Sequence, residues 1–425
     1  MHPGDILRVC KIISQKLASV TAEKSKCFIF KVHNHLRDVN DKAYDPEIIA
    51  IGPYHRDKDN IKMMEEHKLR YLRSLVEHQK VNIAVFVSAI GEMEQEARKC
   101  YAEPIRLDAA QFTEMLVLDG CFIIELVRKF SMVRSEEHEN DPIFRRGWMM
   151  NSLMHDLILF ENQIPFSVLC KLFYLISIPN NHNQLIQQVL RFFHGIFPGK
   201  GCRLSVDKSP NEIKHLLELI HISWRPPSTM SGTDDSAKHR ERKWRFINSA
   251  TELRNANVKF KNSGKDSLFD IKFDNGNLLV PPLLIEDKTE SFFRNLIAYE
   301  QYFEDRSNYV TDYVKFLDSL INSLADVEIL CHHGIIDNWR GDGKMVSNMF
   351  NKLDQFVTYS VPEQFMYSEI FESVNAHCER RRNKWMAKLK QHHLNSPWAI
   401  MSIVAALVLL LLTATQTVCS VLQVV

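Results

Sequence analysis

MLVLDGCFIIELV, Met115 to Val127, sets the architecture expected of this chain. As a helix it would be about 20 Å long at 1.5 Å per residue, short of the roughly 30 Å hydrocarbon core of a bilayer. It also carries Asp119 and Glu125, so it reads as a core helix, apolar on nearly every side and in need of other helices around it. Working outward, MHDLILFENQIPFSVLCKLF (Met154 to Phe173) predicts two helices joined by a corner, because the Pro165 ring disfavours a helical residue just before it. The whole of Ile83 to about Ile178 then reads as three or four helices. Upstream, a helix is expected from about Asn60 to His78, burying Ile61, Met64, Tyr71, Leu72, Leu75 and Val76. CFIFKV (Cys27 to Val32) and EIIAIG (Glu47 to Gly52) read as short strands or extended segments. Residues 1 to 22 set Ile6, Val9, Ile12, Ile13 and Leu17 at helical spacing, which predicts an amphipathic helix with basic outer positions, laid on the main body.

Downstream, PPSTMSGTDDSAK (Pro226 to Lys238) is rich in Pro, Ser, Thr, Asp and Gly and reads as a loop or linker. VKFK and LFDIKF precede Asp274, Asn275 and Gly276, and NLLVP follows. Asn-Gly between two alternating apolar runs predicts a hairpin, since both residues tolerate positive φ. Thr289 to Phe356 reads as several helices with caps at Thr289 and Thr311. Pro362 opens a long polar helix. The expected organisation is an N-terminal amphipathic segment (1–26), a helical first half (27–225), a linker (226–239), and a second half with hairpin and helices (240–360). A basic juxtamembrane helix (361–396), a transmembrane anchor (397–418) and a short tail (419–425) complete it.

The anchor is expected from WAIMSIVAALVLLLLTATQ, Trp398 to Gln416, which carries no charge. Ser396 suits its cap, Pro397 its first turn and Trp398 the interface, while Leu407, Leu411 and Gln416 mark its length. Arg380, Arg381, Arg382, Lys384, Lys388 and Lys390 form a basic flank suited to an anionic membrane surface. With that flank held inside, the expectation is a single-pass protein with its bulk in the cytosol, at the plasma membrane more than at endomembranes. The nine cysteines are scattered, never form C-x-x-C and read as reduced, and no Asn opens an N-x-Ser/Thr acceptor. With 53 Lys and Arg against 52 Asp and Glu, the chain offers no global field for nucleic acid.

Several ordered stretches resemble a plant family known as domain of unknown function 247 (DUF 247, the UPF 0481 group). They are AYDPEIIAIGPYH (Ala43 to His55), MEEHKLRYL (Met64 to Leu72), MLVLDGCFIIEL, DLILFENQIPF, SATELRNANVKFK, LFDIKF, FFRNLIAYEQ, Asp326 to Asn338, and the tail's SPW and TATQT. The resemblance runs from about Cys27 to Gln416. It implies one C-terminal transmembrane helix and supplies no catalytic residues. Some relatives are implicated in grass self-incompatibility, which points towards recognition or signalling. HHLNSPW departs from the aromatic and Asn-rich approach usual in the family.

Candidate chemistry is sparse. GIFPGKG (Gly195 to Gly201) is one residue short of a phosphate loop and has Gly201 where Ser or Thr should hold magnesium; GDGK (Gly341 to Lys344) lacks a third glycine. Cys331, His332 and His333, or His392 and His393, lack metal-ligand spacing, and no cofactor is implied. KHRERKWR (Lys238 to Arg245) reads as a solvated helix start. Asp119, Glu125, Asp156 and Glu161 are acids in apolar surroundings, and two readings stay open for them: a catalytic carboxylate pair, or a structural network with Asn162 and Gln163 around the Pro165 corner. The fold class expected is a mainly α-helical body with a small β-hairpin element and one C-terminal transmembrane helix. The function expected is a membrane-anchored recognition or signalling module acting through an unidentified protein partner, with no nucleic acid and no identified small-molecule substrate. The alternative is an enzyme using the buried carboxylates.

Overall fold

The computed structural model describes residues 2–19, 27–132, 141–176, 184–199, 203–226, 245–265, 267–303, 308–358, 364–381, 383 and 397–424. Numbering helices of six or more residues, the first half carries α1 (Pro3–Ser19), α2 (Met63–Gln79), α3 (Ile83–Gly91), α4 (Glu94–Lys99), α5 (Ala109–Ser131), α6 (Gly147–Asp156), α7 (Phe166–Ile176), α8 (Gln184–Phe192) and α9 (Leu216–Trp224). The second half carries α10 (Ala250–Asn255), α11 (Thr289–Gln301), α12 (Tyr309–Leu320), α13 (Leu324–His332), α14 (Gly343–Leu353), α15 (Ser368–Glu379) and α16 (Pro397–Val424).

α5 is the central helix because its apolar residues circle the axis, so every face must be covered. Asp108 and Gln111 form a capping box at its start. α2, α3, α7 and α8 pack around it. Met64, Tyr71, Leu72 and Leu75 give α2 its buried stripe, and Lys80 in the left-handed conformation ends the segment. Pro165 breaks the chain between α6 and α7, as its ring requires, and residues 157–165 form the corner. One continuous hydrophobic core runs from Ile29 to Val374.

Two small sheets complete the body. β2 (Lys272–Asp274) and β3 (Asn277–Val280) are antiparallel, joined at Asn275 (φ 48°) and Gly276 (φ 79°), the two positive values a tight hairpin turn demands. β1 (Lys259–Asn262) lies parallel to β3, and β4 (Leu283–Ile285) lies parallel to β5 (Ile336–Asn338). The strand order β1-β3-β2 means that the expected hairpin is one half of a three-stranded sheet.

Four expectations are corrected or narrowed. First, among the described residues no helix is long and apolar enough to cross a membrane. α16 is a helix, but its uninterrupted apolar run extends only from Ile403 to Leu412, about 15 Å against a ~30 Å hydrocarbon core. Ser402, Thr413, Thr415, Gln416 and Thr417 bracket that run, and Thr413 and Thr417 donate to Leu409 O and Thr413 O. The transmembrane helix at 397–418 is therefore withdrawn, with the anchor roles of Pro397, Trp398, Leu407, Leu411 and Gln416. The membrane as partner and the single-pass localisation go with it. The basic flank loses its premise: Arg380 and Arg381 are exposed, and Arg382, Lys384, Lys388 and Lys390 lie outside the described residues.

Second, Glu47 to Gly52, expected as a short strand or an extended segment, is the extended segment: side chains rather than a neighbouring strand take its backbone hydrogen bonds. Third, Cys27 to Val32 makes only one isolated bridge, Ile29 with Tyr101. Fourth, Thr311 does not cap a helix: α12 begins at Tyr309, and Glu300 of α11 accepts from the Val310 and Thr311 N–H groups. The Pro226 to Lys238 linker lies outside the described residues after Pro226.

Candidate functional site

The polar residues singled out in the sequence converge on the Glu47–Gly52 segment. Asp156, at the end of α6, accepts from Glu47, Ile48 and Ile49 N–H at 2.9, 2.8 and 3.0 Å. Asn162 Oδ1 accepts from Ile51 N–H at 2.7 Å, and its amide donates to Ile49 O and Asp156 O. Asp119 Oδ2 accepts from Gly52 N–H at 2.8 Å, while Oδ1 meets Lys68 Nζ at 2.6 Å. Lys68 Nζ also donates to Ala50 O at 2.7 Å. Gly52 has φ 77°, and a Cβ there would come within 2.5 Å of Gln163 O, so both conformation and space require glycine. The segment is thus an extended ribbon whose pairing partner is a set of side chains.

The remaining acids are engaged elsewhere. Glu161 accepts from Val32 N–H at 2.6 Å and from both ends of the Arg37 fork at 3.1 and 2.7 Å, with His55 Nε2 at 3.2 Å. Burial works against its charge, but hydrogen bonds from His55 and Arg37 and the Arg37 charge more than offset this and hold the carboxyl below its usual range. Asp119 is the opposite case: burial raises it despite Lys68 and the Gly52 N–H. Glu125 accepts from Arg128 at 2.6 and 2.7 Å and from Ser74 at 2.9 Å. Gln163 donates to Leu157 O and Leu159 O and accepts from Leu217 N–H. Each carboxylate therefore serves a different set of donors, and the four do not meet at one reacting position.

Sequence reasoning missed Glu300. Its buried carboxylate accepts from Val310 N–H, Thr311 N–H, the Thr311 hydroxyl at 2.6 Å and His221 Nε2 at 2.8 Å, which ties α9, α11 and α12 together. A glutamate in the last turn of an otherwise polar-flanked helix gives no local sign of this. Asp318 was missed too. Burial and the neighbouring Asp354 push it up to about 6, against the pull of Lys315 Nζ at 3.4 Å. A carboxyl that holds its proton more tightly folded than unfolded adds stability in full below its ordinary value of 3.8 and loses it as pH rises through about 6. Asp318→Asn is accordingly expected to be more stable than the parent at pH 8, by about 1–2 kcal/mol after solvent screening, and equal to it at pH 4. Urea unfolding at the two pH values measures this; a constant difference would contradict it.

Away from the network, α2, α3, α4 and α5 enclose an open groove of about 870 Å³. Its floor includes Leu72, Val117 and Leu118, and its lip includes Leu69, Ile83 and Val87, which are 57%, 49% and 46% exposed. Glu92, Glu94, Glu96 and Glu114 line it, and no Lys or Arg does. It arises because α4 is short and leaves the start of α5 uncovered between α2 and α3.

The described residues thus form a helical body whose buried carboxylates are held by fold contacts, beside an open, acid-lined apolar groove. The chain belongs to a family described as plant protein of unknown function (DUF247), whose profile matches residues 29–412. It is similar to a UPF0481 protein of Arabidopsis thaliana, 31% identical over 95% of this chain and 88% of that protein. A putative UPF0481 protein of the same plant is 21% identical over 97% of this chain and 93% of its own length. No solved structure matches the chain.

Proposed function

We propose that this chain is a recognition module acting through a protein partner, and that the groove between α2, α3, α4 and α5 receives a basic amphipathic helix of that partner. The exposed apolar lip carries the reading: Leu69, Ile83 and Val87 line the same groove as four glutamates. An apolar helix face would cover the lip, and Lys or Arg on its flanks would face Glu92 and Glu114. The alternative, an enzyme using buried carboxylates, has less support, since Asp119, Glu125, Asp156 and Glu161 are each occupied by fold contacts.

A synthetic Leu/Lys amphipathic helix, labelled and titrated with the full chain, tests the proposal. Binding is expected to weaken at least about tenfold, or about 1.4 kcal/mol, in Leu69→Ser/Val87→Ser, and to weaken with salt. Equal affinity for that variant, folded by circular dichroism, or for a Leu/Glu counterpart of the peptide, would overturn the reading.

A further inference from the structure

A second, smaller cavity lies apart from the groove, between α6, the turn at Gly195–Pro198 and the start of α11. We infer that it is a binding site for a small oxyanion of phosphate size. Asn151 and His155, one turn apart on α6, form one side, and Glu286, Lys288 and Thr289 form the other. The GIFPGKG stretch, which fails as a phosphate loop on its spacing, supplies the remaining wall through Gly195 to Pro198. That wall is fixed in place: Leu284 N–H donates to Pro198 O at 2.7 Å, and the Phe197 and Phe292 rings meet edge to face at 5.8 Å. The cavity volume is about 50 Å³. On the same measure one water needs roughly 10–15 Å³, so a five-atom oxyanion fits and a nucleotide does not. Asn151 and Glu286 are exposed and mark the mouth.

Two independent features ask for an anion there. The first is His155, which is only 6% exposed. Its Nδ1 faces Asp156 Oδ1 at 3.4 Å, whereas Nε2, on the other side of the ring, has no hydrogen-bond partner among the described residues. A buried ring nitrogen left without a partner is costly. An oxyanion in the cavity would accept from Nε2–H while Asp156 keeps Nδ1–H, which holds the ring as an imidazolium between two negative groups. The second is the start of α11. Lys288 stands at its N-cap, where Ser, Thr, Asp or Asn is usual, and gives the first turn no side-chain acceptor. A cation at the positive end of a helix is unfavourable, and an anion beside both relieves it. Glu290, the acid of that turn, is already taken by Arg294 and Asn40. Glu47 pairs with Lys288 from outside the lining, and Glu286 is the acid within it. That balance of charge suits a small oxyanion and not a polyphosphate.

The test titrates the full chain with inorganic phosphate by calorimetry, with chloride keeping the ionic strength constant. One saturable site is expected, with Kd at or below about 1 mM. Asn151→Asp places a negative charge at the mouth and Lys288→Gln removes the cation. Both positions are at least partly exposed, so the variants should fold, as circular dichroism would verify, and each should bind phosphate at least about tenfold more weakly. In nitrogen-15 spectra the His155 ring signal, assigned with His155→Gln, should shift with the same midpoint as the heat. Glycerol phosphate separates two sources of the same chemistry: binding as tight as that of phosphate supports a terminal phosphoryl group as the ligand, and no binding supports the free ion. Phosphate binding that does not saturate below about 20 mM, equal affinity in either variant, or a His155 signal that does not move would overturn the inference.

Discussion

Lys68→Met is expected to lower the unfolding free energy by about 3–5 kcal/mol, the usual cost of leaving one member of a buried ion pair alone. The ammonium is enclosed, donates to Asp119 Oδ1 and Ala50 O, and also meets Glu65 at 2.6 Å. Without it the Asp119 carboxylate, whose affinity for a proton burial has already raised, keeps the Gly52 N–H as its donor among the described residues. The remedy is specific: Lys68→Met/Asp119→Asn removes the stranded charge and retains an acceptor for Gly52, so it should recover about 1–2 kcal/mol of the loss. Chemical unfolding of the three proteins measures the cycle. Strict additivity of the two substitutions would mean that the pair does not act as a unit.

Asp156→Ala should cost a similar amount, about 3–5 kcal/mol, for a different reason. The carboxylate gathers three consecutive backbone donors, and among the described residues no strand lies beside Glu47–Gly52 to take them over. Asp156→Asn keeps one acceptor oxygen and presents an amide to the same donors, so it is expected to fall between parent and alanine variant. Local loosening should accompany the loss. Hydrogen exchange at Ile48 and Ile49 is expected to speed up by more than at Leu116 or Phe122 in α5. Uniform acceleration across the chain would show that Asp156 supports global stability alone.

Both predictions turn on contacts between residues distant in sequence, and that is where sequence reading stopped. Met115–Val127 could be read as a buried helix because its apolar residues leave no polar face, a property of the local string. The Pro165 corner and the Asn275–Gly276 turn were equally legible, since each follows from the φ angles that one or two residues can adopt. Asp119, Glu125, Asp156, Glu161, Asn162 and Gln163 were recognisable as polar groups in apolar company. Their partners were not, because Asp156 reaches back 107 residues to Ile49 and Glu161 reaches back 129 to Val32. Whether Glu47–Gly52 was a strand or an unpaired extended segment turned on the same point: alternation identifies an extended segment but not what pairs with it. The C-terminal stretch failed on length, its unbroken apolar run being about half of what a bilayer requires.

The groove shows the division most clearly. Leu69, Ile83 with Val87 and Glu92, and Glu114 belong to three separate stretches, and nothing in the sequence marks the three as neighbours. They become one surface because α4 is too short to cover the start of α5 once α2 and α3 have packed on it. By itself the sequence determined the elements: which segments are helical, where proline and glycine turn the chain, and that α1 is basic and amphipathic. Only the tertiary structure decided which carboxylates hold which backbone, and which apolar side chains are left uncovered. Periodicity and φ preference act over a few residues, whereas burial and hydrogen-bond pairing are fixed only when segments a hundred residues apart compete for the same space.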